Sequence, residues 1–253
     1  MINLFRAELY RLIKSKGFYL FWGLSVFTFM VSVIYHEAGG VSLGAPLEYS
    51  GDIKMDIQQV AMNLSYYFFL IIPVFTVIAD EFNEHTIKNT ITSAIGKQKY
   101  FISKYIFTLV YSLLSFTVIN YLFYFINRAV NGSDYSSPIG DYSKAFFGQF
   151  PLFAGIVSVF IFLAFLLKKG AAFNAVTIVT PLVYTSAALV LYGIEGTKKA
   201  AEKMLTYEIS TMISKLTLDC TDSYRTRCYI LSTALTVLSF VVGLAIWNRR
   251  EID

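Results

Sequence analysis

The sequence predicts an all-α integral membrane protein, and three observations carry that prediction. Hydrophobic residues supply 56% of the 253-residue chain and charged residues only 15%, where a soluble domain holds about 25% charge. Phe and Tyr number 23 and 18, too many for one soluble core of this size to hide. Six stretches contain no Asp, Glu, Lys, Arg or His: Gly17–Tyr35, Ile57–Ala79, Tyr105–Ile126, Phe146–Leu167, Ala171–Tyr192 and Tyr229–Trp247. At 1.5 Å rise per residue, about 20 residues cross the roughly 30 Å hydrocarbon layer. Buried helices of a large soluble protein are the alternative, but six such runs would leave no amphipathic helices to cover them. Residues 1–253 therefore read as a single transmembrane domain of six spans. The same figures exclude a disordered chain, a nucleic-acid-binding module and a small disulfide scaffold.

The first segment, MINLFRAELYRLIKSK, carries Ile2, Phe5, Leu9, Leu12 and Ile13 at helical spacing, with Arg6, Arg11 and Lys14 on the other face. An apolar stripe opposite a basic face lets a helix lie in the membrane interface. The plainer alternative is a frayed, basic start to the first span, but the stripe is regular and Lys14-Ser15-Lys16-Gly17 offers a turn into the membrane. A cleaved secretory signal is the rival reading of this region. The 19-residue run Gly17–Tyr35 exceeds the roughly 7–15 residues of a signal core, and Ala38-Gly39-Gly40 is a poor cleavage site.

Lys and Arg set the orientation. With the N-terminus inside, inner segments hold 12 basic residues and a net charge of +6, and outer segments hold 9 and a net charge of −2. Six of those nine outer cations lie in the single loop 193–228. Both termini are expected in the cytoplasm.

The one sizeable inner loop, 80–104, reads DEFNEHTIKNTITSAIGKQKYFISK. Asp80, Glu81 and Glu84 come first, suiting the positive end of a helix dipole, and Lys88, Lys97, Lys99 and Lys104 come later. Phe82, Ile87, Ile91 and Ile95 recur at helical intervals until Gly96. A solvated connector is the plainer reading. In the outer loop 193–228, Ala201, Met204, Leu205, Ile209, Met212, Ile213 and Leu216 form a second stripe between Gly196 and Asp219, predicting an outer amphipathic helix between spans 5 and 6. That helix either rests on the outer surface, lids a translocation path, or is an ordinary connector. Pro73, Pro151 and Pro181 can kink spans 2, 4 and 5. Asn63, Asn120 and Asn174 more often join helix to helix than bind ligand.

Cys220 and Cys228 are the only two cysteines. They lie on the oxidising side in this topology, and the short loop between them permits a disulfide provided the Cα atoms come within about 7 Å. A span 6 that began earlier would need a bend at Ser223-Tyr224 for the pair to meet.

No GxxxxGK[ST] occurs, and Gly193–Lys199, GIEGTKK, has neither the spacing nor the context of a phosphate-cradling loop. GxSxG, HExxH and CxxC are absent, and His36 and His85 fall on opposite sides of the membrane. The chain is expected to be non-catalytic, with no cofactor or metal of its own and no affinity for nucleic acid.

An N-terminal amphipathic helix, six spans, and an acidic-then-basic loop between spans 2 and 3 resemble the permease subunits of the ABC type-2 exporter family. Within it, the small members near bacteriocin and lantibiotic self-immunity permeases are the most similar. Those permeases carry a glutamate-rich stretch, a Gly-Thr, then a Ser-Arg and a Lys leading into span 3, and Glu81, Glu84, Thr86, Lys88, Lys97 and Lys104 occupy the matching positions. His85 stands where Gly is usual, and Gly96-Lys97 replaces Pro-x-Ser-Arg. The resemblance implies that Asp80, Glu81, Phe82, Glu84, His85, Thr86 and Lys88 couple the permease to a cytoplasmic ABC ATPase, which binds the ATP and Mg. Carboxylates would meet basic groove walls and Phe82 would serve as an apolar anchor. It also implies a second permease half (homodimer or paralogue), a bacterial cell membrane, and outward movement of an amphipathic or apolar substrate such as an antimicrobial peptide or lipid-like molecule. The residues lining its path are not legible. The alternative is a secondary transporter or channel-like protein without an ATPase. Such a protein commonly places ionisable groups inside its spans, and these six hold none.

Overall fold

Helices account for every regular element among the described residues, as a chain in lipid requires when its backbone polar groups must be satisfied within each segment. The computed structural model describes residues 2–38, 53–61, 64–84, 87, 96–218 and 220–249. In order these form α1 (Ile2–Lys14), α2 (Lys16–Tyr35), α3 (Met55–Ala61), α4 (Leu64–Val74), a π-helical turn (Phe75–Ala79), α5 (Asp80–Asn83) and α6 (Lys97–Asn131). Then follow α7 (Ile139–Leu167), α8 (Gly170–Tyr192), a 3-10 turn (Glu195–Thr197), α9 (Lys198–Thr206), α10 (Ile209–Thr217) and α11 (Asp222–Arg249).

Among the described residues five helices, α2, α6, α7, α8 and α11, are long and apolar enough to cross a membrane. The charge-free run 57–79 is covered by α3, α4 and the π-turn, and helix continues without a break from Leu64 to Asn83. Pro73, in the last turn of α4, has no N–H to give to the ladder and its ring crowds the carbonyl one turn back. The helix widens into the π-turn two residues later, a device that recurs at functional sites.

α7 is the centre of the bundle, and more of its apolar stretch is buried than in any other long helix. It lies closest to α11 because Gly155 has no side chain, and a Cβ there would stand 3.1 Å from the Ser232 carbonyl oxygen. The Tyr229 hydroxyl ties the same pair together by donating to the Gly148 carbonyl at 2.9 Å. Phe116 packs on Phe153 and Phe146 with ring centroids 4.2 and 5.2 Å apart, joining α6 to α7.

α1 turns into α2 at Ser15, whose hydroxyl accepts the Phe18 N–H at 3.2 Å and caps α2. Phe5 and Leu12 face the bundle, Phe5 against Phe107. Leu9, Ile13 and Arg6 face outward.

The outer stripe is not one helix. It breaks at Tyr207 into α9 and α10, because Glu208 caps α10 by accepting the Thr211 N–H at 2.9 Å. α9 lies along α8, while α10 is buried with Met212, Ile213 and Leu216 against α7 and α3. The α10 half of the stripe is interior packing rather than a surface helix. A neighbouring buried carboxylate, Asp56 of α3, accepts from the Ser137 N–H and hydroxyl, both at 2.8 Å, and so pins α3 to the α6–α7 turn.

Cys220 and Cys228 are free thiols. α11 already begins at Asp222 and runs straight through Ser223 and Tyr224. Cys228 is buried a turn and a half inside that helix.

Candidate functional site

Where α1, the π-turn, α5 and the start of α6 meet, the bundle buries charge. Lys104 is 2% exposed, Glu81 is 4% exposed, and Glu8 is nearly as enclosed. Taking a carboxylate or ammonium out of water costs several kcal/mol unless partners replace the lost hydration. Each of these has partners. Lys104 Nζ lies 2.7 Å from Glu8 Oε2 and 2.8 Å from Glu81 Oε2. Arg11 Nη2 lies 3.2 Å from Glu8 Oε2, and Nη1 pairs with Glu81 Oε1. The Tyr100 hydroxyl donates to Glu81 Oε2. Two cations and two carboxylates leave the cluster neutral.

The π-turn completes this arrangement. The carbonyl of Val77 accepts from Arg11 Nη2 at 2.9 Å and from Lys104 Nζ at 3.1 Å. A backbone oxygen in mid-turn therefore joins α1 and α6 through the same two cations that hold Glu81.

The other side chains of α5 hold other helices. Phe82 sits edge-on to Phe165 of α7 and Trp247 of α11, with centroids 5.9 and 6.1 Å away. Trp247 stacks on Tyr100 and donates its indole N–H to the Lys97 carbonyl at 2.9 Å. The Asn83 amide oxygen accepts the Gly170 N–H at 3.0 Å, at the start of α8. Gly170 is required here, since a Cβ would stand 2.6 Å from Phe75 Cε2 and overlap the Asn83 amide nitrogen. Three consecutive residues, Glu81, Phe82 and Asn83, thus grip α1, α6, α7, α8 and α11. Beside them opens a cleft of about 1120 Å³ between α1, α2, α4, the π-turn, α5 and α8.

The family described as "ABC-2 family transporter protein" matches residues 4–188. The chain belongs to the ABC-2 transporter family. None of the curated proteins matches it. Membership and its five apolar helices make the chain a multi-pass membrane component of an ABC transporter. The matched region runs from within α1 to within α8, so it includes every member of the buried charge cluster.

In this ABC-2 permease the residues expected to contact an ATPase divide by orientation. Glu84 is exposed and Asp80 half-buried, both bordering the cleft. Glu81 is buried and Phe82 half-buried, and both are engaged within the chain, Glu81 by Arg11, Lys104 and Tyr100 and Phe82 by Phe165 and Trp247. His85, Thr86 and Lys88 lie outside the described residues, as does Asn63. Lys97 opens α6, and Lys104, read from sequence only as a motif position, is the most enclosed cation of the cluster. Asn120 donates to the Phe116 carbonyl of its own helix at 2.9 Å, while Asn174 borders the cleft. Glu8, Arg11, Tyr100, Asn83 and Trp247 were missed. One signal was present: Glu8 is the only acidic residue among the first 16 and stands three before Arg11, the spacing of helical neighbours.

Proposed function

We propose that this chain is the permease subunit of an ATP-driven exporter, worked by a separate cytoplasmic ABC ATPase acting on the segment that begins at α5. The observation that carries the reading is the grip of Glu81, Phe82 and Asn83 on five helices. A push on a free loop would be lost as local motion. A push on α5 reaches α1 and α6 through ion pairs, α7 and α11 through an aromatic box, and α8 through a helix-start hydrogen bond. In this reading the exposed Glu84 and the loop beyond it face the ATPase, and Glu81 and Phe82 transmit.

The permease has six spans, the run from Met55 to Asn83 forming the second, with both termini cytoplasmic in a bacterial cell membrane. It works with a second permease half, identical or paralogous, and ATP and Mg belong to the ATPase. Its cargo is amphipathic or apolar, with an antimicrobial peptide in keeping with the resemblance to immunity-type permeases. The alternative is a secondary transporter or channel, which would use ionisable groups at mid-depth. Among the described residues the acidic and basic groups of the long helices instead stand within about two turns of the helix ends, and Lys104, the deepest of them, is paired with Glu8 and Glu81.

The test is copurification of an ATPase with the tagged permease and the ATPase activity of the complex. Glu84→Lys is expected to reduce complex yield. Glu81→Gln is expected to keep the complex while lowering permease-stimulated hydrolysis. Full yield and full stimulation in both variants would remove α5 from the coupling path.

A further inference from the structure

The cleft beside α1 has a division of chemistry that the coupling reading does not use. At about 1120 Å³ it exceeds the roughly 300–1,000 Å³ of pockets that hold drug-sized ligands. Leu20 of α2, Ile71 and Ile72 of α4, and Phe75 of the π-turn give it an apolar wall. The α1–α2 junction gives it Lys14 and Lys16, both exposed, and α5 gives it Asp80, with Glu84 at its edge. Glu8, Arg11 and Glu81 also border it, but with Lys104 they form the neutral cluster already described. The charges left over are two cations at the α1–α2 junction and two carboxylates at the start of α5 and just beyond its end. Among the described residues neither lysine is engaged in an ion pair, and Lys14 overlies Tyr10 one turn back.

Such a cleft selects by elimination. A fatty acid or anionic lipid would satisfy Lys14 and Lys16 and set its charge against Asp80. A cationic amphiphile would satisfy Asp80 and meet the lysines. A soluble zwitterion would leave the apolar wall wet. A molecule with a phosphate, a primary ammonium and an acyl chain satisfies all three. α2 and α8, which frame the cleft, bury only 28% and 17% of their apolar stretches within the protein, which leaves apolar surface beside it for acyl chains. Asn174 of α8 adds an amide donor on the cleft wall, suited to an ester carbonyl.

We propose that this cleft binds a zwitterionic phospholipid with a primary-amine headgroup, drawn from the bilayer leaflet in which α1 lies, with the phosphate at Lys14 and Lys16 and the ammonium at Asp80. The proposal rests on the interfacial placement of α1 but not on any ATPase.

The test uses the full-length permease alone, in nanodiscs of equal phosphatidylethanolamine and phosphatidylglycerol, with lipid retained after detergent extraction counted by native mass spectrometry. Without an ATPase in the assay, its outcome is separate from that of the coupling experiment. The wild type is expected to retain phosphatidylethanolamine over phosphatidylglycerol by about tenfold, the scale of one charge-assisted hydrogen bond. Lys14→Glu with Lys16→Glu is expected to lose that retention, and Asp80→Asn to lose the preference while still holding phosphatidylglycerol. Leu20→Trp, which fills the apolar wall and alters no charge, is expected to lower both lipids. Equal retention by the wild type, or undiminished phosphatidylethanolamine on the double lysine variant, overturns the proposal. Displacement of the lipid by glycerophosphoethanolamine at equal concentration would assign the cleft to a soluble zwitterion and overturn the bilayer source.

Discussion

Lys104 is the side chain on which the buried cluster depends most. It touches Glu8, Glu81 and the Val77 carbonyl at 2.7, 2.8 and 3.1 Å, so it holds three elements with one ammonium. Removing one partner of a buried pair leaves an uncompensated charge and costs about 3–5 kcal/mol, whereas replacing both with apolar groups can be nearly neutral. Lys104→Met is therefore expected to lower the unfolding midpoint of the purified permease sharply. Lys104→Met combined with Glu8→Leu keeps the cluster neutral, as Arg11 and Glu81 still pair. The double variant should lose less than the sum of its single variants, with a coupling of about 0.5–3 kcal/mol in a double-mutant cycle. Additive losses would mean that the two residues act independently. Arg11→Lys is not a conservative change here, because Arg11 reaches Glu8 and the Val77 carbonyl through Nη2 and Glu81 through Nη1 and an ammonium lacks that fork.

At the scale of elements, α5 works through fit as much as through charge. Gly170→Ala puts a methyl against Phe75 and the Asn83 amide, so that either those two side chains give way, with loss of the Asn83 contact, or α8 moves from α5. Overpacking of this kind costs about 1–3 kcal/mol. The unfolding midpoint should fall, and ATPase stimulation should fall with it, although Gly170 lies far from Glu84 in sequence. Unchanged stimulation alongside a lowered midpoint would show that the Asn83 contact serves stability alone. Little of this was legible beforehand, for a physical reason. Sequence periodicity reports which face of a helix is apolar, and it marked Phe82 correctly as apolar, but it carries no information on what that face meets. Phe165 and Trp247, which enclose Phe82, are 83 and 165 positions away. The outer stripe failed for a related reason. Apolar spacing runs unbroken from Ala201 to Leu216, and only Glu208, a single charge within that stripe, turns the chain by capping α10.

For the whole molecule, five of the six charge-free runs fall within helices long and apolar enough to cross a membrane, because desolvated charge is expensive wherever the chain meets lipid. They located helix ends poorly. α6 starts at Lys97 and α11 at Asp222, both well outside their charge-free runs, since a helix continues through the headgroup region where charges are welcome. The same principle gives the orientation its basis, and the orientation can be tested on described, accessible positions. Ser133, in the α6–α7 turn, and Lys169, between α7 and α8, are both exposed and stand at opposite ends of α7. The positive-inside pattern places Lys168 and Lys169 in the cytoplasm and the α6–α7 turn outside. Cys220 is half-buried and free, so Cys220→Ser with Cys228→Ser gives the clean background. In that background Ser133→Cys is expected to react with a membrane-impermeant maleimide on intact cells. Lys169→Cys should react only after the membrane is permeabilised. The reverse pattern would put α1, α5 and the buried charge cluster on the outer face, where no ATPase could reach them, and would end the coupling reading while leaving the contacts of α5 as they are.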